Sequence, residues 1–119
     1  MSKNYYIRKA NIADINSLCE IGAKTFIETY EKENTPENLQ KYLDEKFNEK
    51  QISDELSTPQ TIFLLVELAD EVIGYAKMRI NLVENPNPKA LEIERIYIAK
   101  QYHGQKFGAL LMQGCIDNA

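Results

Sequence analysis

Histidine occurs once and cysteine twice in the 119 residues, too few to supply a ligand set for a structural metal. Cys19 and Cys115 stand far apart, match no metal-ligand spacing, and fall on apolar helix faces, which reads as core. No stretch approaches the roughly 18 consecutive apolar residues of a membrane-spanning helix. Basic residues are not in excess either: 14 Lys and Arg stand against 18 Asp and Glu, a net charge of -4. A mixed, slightly acidic chain lacks the clustered cations that grip a nucleic-acid backbone, and its sign suits a cationic ligand better. Met1-Ser2-Lys3-Asn4 runs into a strand without an apolar leader, so the expectation is a soluble cytoplasmic protein. There is no internal repeat, low-complexity tract or linker, and the length suits one domain over residues 1–119.

What is present is an alternation of strand and helix patterns. Tyr5 to Ala10 has the aromatic and β-branched character of a strand. Asn11 then caps a helix, with Asp14 placed to reach back as in a capping box, and Ile15, Leu18, Cys19, Gly22, Phe26 and Tyr30 form its apolar stripe. Thr35-Pro36 marks a second start, with Leu39, Tyr42, Leu43 and Phe47 as the stripe, and one or two further turns are expected between Lys50 and Leu56. The charges from Lys41 to Glu55 alternate in sign and read as a solvated face. After Thr58-Pro59 the pattern becomes that of strands: Thr61 to Leu68, Val72 to Leu82 and Ala90 to Ile98. They are joined by a short Ala69-Asp70-Glu71 connection and the Asn85-Pro86-Asn87-Pro88 loop. A last helix begins near Phe107, shows Phe107, Leu110, Leu111, Gly114 and Cys115 on one face, and runs on to Ala119 without a stop signal. A helix in that position normally feeds a parallel strand, so the chain is expected to be the front part of a longer domain.

The junction between the last strand and that helix carries the chemical signal. The first turn of a helix leaves backbone N–H groups unpaired and carries partial positive charge, so phosphate docks there without a lysine cluster. Gly104 and Gly108 let a ligand approach the backbone, while Glu92 and Glu94 stand upstream on the adjoining strand. An anion site beside carboxylates suggests chemistry as well as binding.

With element order and loop in hand, the chain resembles the GNAT N-acetyltransferase superfamily. That order is strand, two helices, three antiparallel strands and the helix after the coenzyme A loop, and it spans all 119 residues. The family's pyrophosphate motif Q/R-x-x-G-x-G/A corresponds to His103-Gly104-Gln105-Lys106-Phe107-Gly108, with His103 where Gln or Arg is usual and Lys106 where glycine is usual. Further similarity, in Thr25 to Tyr30, Asn34 to Leu39, Tyr42-Leu43 and Glu92 to Tyr97, is to the bacterial polyamine acetyltransferases of the PaiA type. The resemblance implies an α/β fold, α+β in strand order, with a mixed and mostly antiparallel sheet flanked by helices. It also implies acetyl-CoA as co-substrate and transfer of an acetyl group to a primary amine of a small molecule, such as a polyamine.

The same resemblance assigns roles. His103, Gly104, Gln105, Lys106, Phe107 and Gly108 hold the coenzyme, and main-chain groups of Ile96, Tyr97 and Ile98 meet the acyl group and pantetheine arm. Phe26 and Tyr30 face the substrate, and the general base is a strand glutamate, Glu92 by its distance from the loop or Glu94 two residues on. An alkyl ammonium has an unperturbed pKa of roughly 10.4, so some group must take its proton before it attacks a thioester. The tyrosine that serves as general acid in the family falls beyond Ala119, and members often pair as homodimers. His103, the lone histidine, reads either as a pyrophosphate donor or as an exposed loop residue, and no metal site is expected. Competing readings are acetylation of a protein N-terminus or lysine, a non-catalytic coenzyme-binding or regulatory module, and an interaction domain that binds no nucleotide.

Overall fold

The computed structural model describes residues 5–80 and 91–117. Strand β1 (Tyr5–Lys9) leads into a 3-10 turn at Ile12–Asp14 and helix α1 (Ile15–Tyr30). Helices α2 (Pro36–Lys46) and α3 (Glu49–Ser57) follow, then strands β2 (Thr61–Leu68), β3 (Glu71–Ile80) and β4 (Leu91–Ile98), a 3-10 turn at Lys100–Tyr102, and helix α4 (Phe107–Asp117). The expected order is therefore borne out, with one addition. The turn or two foreseen between Lys50 and Leu56 is a full helix of nine residues, α3, whose start is fixed by the Asn48 side chain accepting from Gln51 N–H at 2.8 Å. The expected end of the third strand at Leu82, the Asn85 to Pro88 loop, the start of the last strand at Ala90 and the final residues Asn118 and Ala119 lie outside the described residues, as do Met1 to Asn4.

The four strands form one sheet in the order β1-β2-β3-β4, with every neighbour antiparallel. The β2–β3 connection is a two-residue turn in which Ala69 and Asp70 both have positive φ, 50° and 67°, the conformation that matches the right-handed twist of the flanking strands. Each face of the sheet is covered. On one, Leu64, Val66, Ala76 and Met78 pack under Phe107, Leu111 and Cys115 of α4. On the other, Phe63, Leu65 and Tyr75 pack under Leu18 and Ile21 of α1 and Ile52 of α3. Cys115 is buried as expected and Cys19 half-buried, and both thiols are free.

The capping box expected at Asn11 closes the 3-10 turn that leads into α1 and not α1 itself, whose N-cap Asp14 makes no side-chain cap bond, and charge ties this turn to the sheet. Asn11 accepts from Ala13 N–H, the Asp14 carboxylate accepts from Asn11 N–H at 2.8 Å, and Arg8 on β1 donates to both Asp14 oxygens at 2.9 and 2.7 Å. Those Arg8 hydrogen bonds hold the Asp14 carboxyl below the usual aspartate range, against the upward push of its burial. A carboxyl whose folded pKa is depressed adds stability above its unfolded pKa and loses it as pH falls through the folded value. Asp14→Asn is accordingly expected to destabilise by about 1 kcal/mol at pH 7, kept small because Arg8 is partly exposed. Urea midpoints for wild type and variant should converge as pH drops below about 4. An equal gap at pH 7 and pH 3 would refute the linkage.

Candidate active site

Strand β4 is irregular at the point that matters. Lys77 of β3 pairs with Arg95 and the next residue, Met78, pairs with Ile93, so Glu94 is an extra residue bulged out of the ladder. Regular alternation would place Glu94 and Arg95 on opposite faces; the bulge turns both toward α1 and α3, while Ile93 and Ile96 both pack against the α4 side. Glu94 thereby enters a cavity of about 220 Å3 walled by Phe26, Tyr30, Tyr42, Phe47, Tyr75 and Tyr97.

The aromatic walls come from three elements. Phe26 and Tyr30 lie one helical turn apart on α1, with ring centroids 4.7 Å apart, and Tyr42 of α2 stacks on Phe26 at 4.1 Å with an interplanar angle of 4°. Phe47, just past α2, reaches the α1 backbone because Gly22 has no side chain: a Cβ there would collide with the ring. Burial pushes the Tyr75 hydroxyl up to about 12. Burial also raises Tyr97, helped by the neighbouring Tyr30, so both phenols stay protonated at neutral pH. Beneath them lies an ion network. Lys77 Nζ is 2.9 Å from Glu55 Oε1 and 2.9 Å from Glu94 Oε2, and Arg95 Nη2 is 3.3 Å from Glu55 Oε1. Burial drives the Glu55 carboxyl upward, but hydrogen bonds from Gln51 and Lys77 and the charge of Arg95 bring it below its ordinary value.

The solvated face expected from Lys41 to Glu55 thus fails at its last residue: Glu55 is 8% exposed and takes part in this network. Of the two candidate bases, both exposed at the surface, Glu94 lines the aromatic cavity, whereas Glu92 pairs across the ladder with Arg79 and does not line it. Tyr42, Phe47, Lys77 and Arg95 also belong to the cavity and its floor, and no local sequence pattern marks them as site residues. One signal for the bulge was available: Ile93 and Ile96 stand three apart in a strand, where same-face residues should stand two apart.

A second cavity of about 420 Å3 runs along Ile96, Tyr97 and Ile98 against Thr25, Glu28 and Thr29 of α1. A third, of about 450 Å3, is lined by Ile98, Tyr102, His103, Gly104, Lys106, Phe107, Gly108 and Ala109 at the start of α4. The second shares Thr25 and Tyr97 with the aromatic cavity and Ile98 and His103 with the third, so the three adjoin along β4. At the α4 end Leu110 N–H closes the first helical turn onto the Lys106 carbonyl at 3.1 Å. A Cβ at Gly104 or Gly108 would meet nothing within 4 Å, which leaves open space in front of the backbone. His103 is exposed, and its Nε2 lies 2.7 Å from the Ile98 carbonyl. A carbonyl only accepts, so Nε2 carries the proton, and the ring braces the loop against the end of β4. Lys100 N–H donates to Glu28 Oε1 at 2.9 Å, tying the same loop to α1.

Lys106 has φ of 67°, a left-handed conformation unfavourable for any side chain but glycine. Lys106→Gly should therefore stabilise the fold by about 0.5 to 1 kcal/mol, the relief of strain less the added freedom of glycine in the unfolded chain. A melting temperature at or below that of the unaltered protein would show that the lysine makes contacts outweighing its strain.

Residues 16–119 match the family model described as the acetyltransferase (GNAT) family, and the chain belongs to that family. An uncharacterized N-acetyltransferase of Lactobacillus delbrueckii subsp. lactis, encoded in the pepI 3' region, is 33% identical over 102 residues, which cover 84% of this chain. The chain spans 59% of that relative's length. Among solved structures, the PaiA N-acetyltransferase of Thermoplasma acidophilum in complex with coenzyme A superposes with a TM-score of 0.81 at 22% identity, covering 97% of this chain and 71% of that one. An aminoglycoside acetyltransferase from an uncultured soil metagenomic sample, in complex with sisomicin, gives a TM-score of 0.73 at 11% identity, over 96% of this chain and 68% of that one. At such identities the likeness is one of fold. Among the described residues no group of three or more His, Cys, Asp or Glu is placed to hold a metal, and no helix is long and apolar enough to cross a membrane.

Proposed function

We propose that the protein is an acetyl-CoA-dependent N-acetyltransferase that modifies a primary amine of a small molecule, with Glu94 as general base. The observation that carries this is the run of adjoining cavities from the Glu94 carboxylate, past Ile96 to Ile98, to the start of α4. Family membership supports the activity, and the coenzyme A held by the PaiA neighbour supports the coenzyme. The residues fit such a group: Gly104 and Gly108 leave room for a diphosphate against the first backbone N–H groups of α4, and Ile96 to Ile98 border the groove where the pantetheine arm would lie. Acetyl-CoA, when bound, supplies an acetyl thioester open to attack by an amine.

The chain's own residues prepare that amine. The aromatic lining from Phe26, Tyr30, Tyr42 and Tyr97 suits an alkyl ammonium, and Glu94 takes its proton so that nitrogen gains a free electron pair. Attack on a bound thioester would then form the carbon–nitrogen bond and break the carbon–sulfur bond, nitrogen giving up a second proton and the thiolate gaining one, so that the products are an amide and a thiol. The resemblance to PaiA-type enzymes and the cation-suited walls favour a polyamine as acceptor. The test is acetyl-CoA turnover by the full-length protein with spermidine, an aminoglycoside and lysine or N-terminal peptides compared side by side. Saturable acetylation of spermidine is the expected outcome. Preference for peptides would replace the acceptor class, and coenzyme binding without turnover of any amine would reduce the protein to a coenzyme-binding module.

A further inference from the structure

Glu94 does not hold its place through the strand ladder, because the bulge takes it out of register. Its side chain is 29% exposed and would sample several rotamers if left alone. Among the described residues one ion pair aims it: Lys77 Nζ meets Glu94 Oε2 at 2.9 Å. Lys77 is itself immobilised. It rises from the centre of β3, is 14% exposed, and reaches Glu55 Oε1 of α3 at the same 2.9 Å. Glu55 is steadied in turn by Gln51 Nε2 donating to Oε2 at 3.0 Å and by Arg95, whose guanidinium lies 5.7 Å from the Phe47 ring centroid.

A buried ion network of this kind is poor value as a stability device. Apolar residues of similar volume commonly do as well or better, since desolvating the charges offsets their attraction. This one is also imperfect: among the described residues, Tyr75 OH and Arg95 Nη1 are buried without a hydrogen-bond partner. What the arrangement does supply is a fixed direction for one carboxylate at the edge of the aromatic cavity.

We propose that Lys77, anchored by Glu55, is a positioning residue that orients Glu94 toward the acceptor amine. The inference rests on the reading of Glu94 as base and extends it to a residue on another strand, held by a helix that lies outside the cavity. Lys77 lines none of the three cavities, so its effect would pass through Glu94.

The experiment is a double-mutant cycle in the full-length protein, using Lys77→Met, Lys77→Arg, Glu94→Gln and the Lys77→Met/Glu94→Gln pair, with melting temperatures to confirm folding. Lys77→Met should lower kcat by about 10-fold with little change in the KM for acetyl-CoA, as a misaimed base does. Lys77→Arg, which keeps a donor in place, should recover to within about 3-fold of the unaltered protein. In the Glu94→Gln background, Lys77→Met should change kcat by less than about 2-fold, because the group it serves is already gone. Equal losses in both backgrounds, or no loss in a folded Lys77→Met, would overturn the positioning role while leaving Glu94 as base. A Glu94→Gln protein with unchanged turnover removes the base reading itself, and this inference with it. Should Lys77→Met fail to fold, Lys77→Gln carries the same comparison.

Discussion

Glu94→Gln is expected to lower kcat/KM by about 100-fold or more at neutral pH, while Glu92→Gln stays within about 2-fold of the unaltered protein. A loss of 100-fold corresponds to about 2.7 kcal/mol of transition-state stabilisation, an ordinary share for one proton-transfer group. Glutamine keeps the shape of glutamate and an oxygen that accepts from Lys77, so neither the bulge nor the Lys77–Glu55 pair should be disturbed. The contrast between the two glutamates is geometric. Both stand in the same strand, but only Glu94 lines the aromatic cavity, while Glu92 sits opposite Arg79 in the ladder, outside the cavity lining. Steady-state kinetics with acetyl-CoA and the best amine measure both variants. Should Glu94→Gln keep its turnover to within severalfold, or Glu92→Gln be the slower, the assignment of the base is wrong.

Leu111→Ala is expected to give the largest loss of stability among the substitutions considered, about 2 to 5 kcal/mol. Leu111 has no exposed surface and fastens α4 to the sheet among Leu64, Val66, Ile73, Ala76 and Met78. Removing three side-chain carbons there leaves a void that the interlocked strands cannot collapse to fill. Against a total stability of about 5 to 15 kcal/mol for a domain, such a loss is large and should appear as a fall in melting temperature of about 8 °C or more. The consequence reaches the candidate site, because α4 carries Phe107, Gly108 and Ala109 on the wall of its third cavity. Coenzyme affinity should weaken in the variant even though no coenzyme-facing group is altered. A melting temperature within a degree or two of the unaltered protein would mean that α4 is not held by this cluster.

Much of the architecture could be read locally because its signals are local. The capping box at Asn11 and Asp14, the Thr35-Pro36 start and the apolar run from Ile62 to Val66 each act over a few residues, and each recurs in the folded chain. Helix α3 was seen only in part: with Ile52 and Leu56 as its short apolar stripe and charges around them, its periodicity is faint, and the Asn48 cap is what extends it.

The sequence by itself determined the order of elements, the glycine-bearing loop before the last helix, and the choice of two glutamates on one strand, since propensity, capping and spacing are properties of neighbouring residues. Only the tertiary structure sets those glutamates apart, with Glu94 on the wall of the aromatic cavity and Glu92 outside it. The bulge at Glu94 exists because β3 and β4 pair out of step between Lys77 and Met78, a matter of two strands and not of either alone. Likewise Lys77 meets Glu55, and Tyr42 stacks on Phe26, across stretches of chain that come together only when the first three helices pack over one face of the sheet. Contacts of that range depend on the whole packing arrangement, so no local pattern announces them.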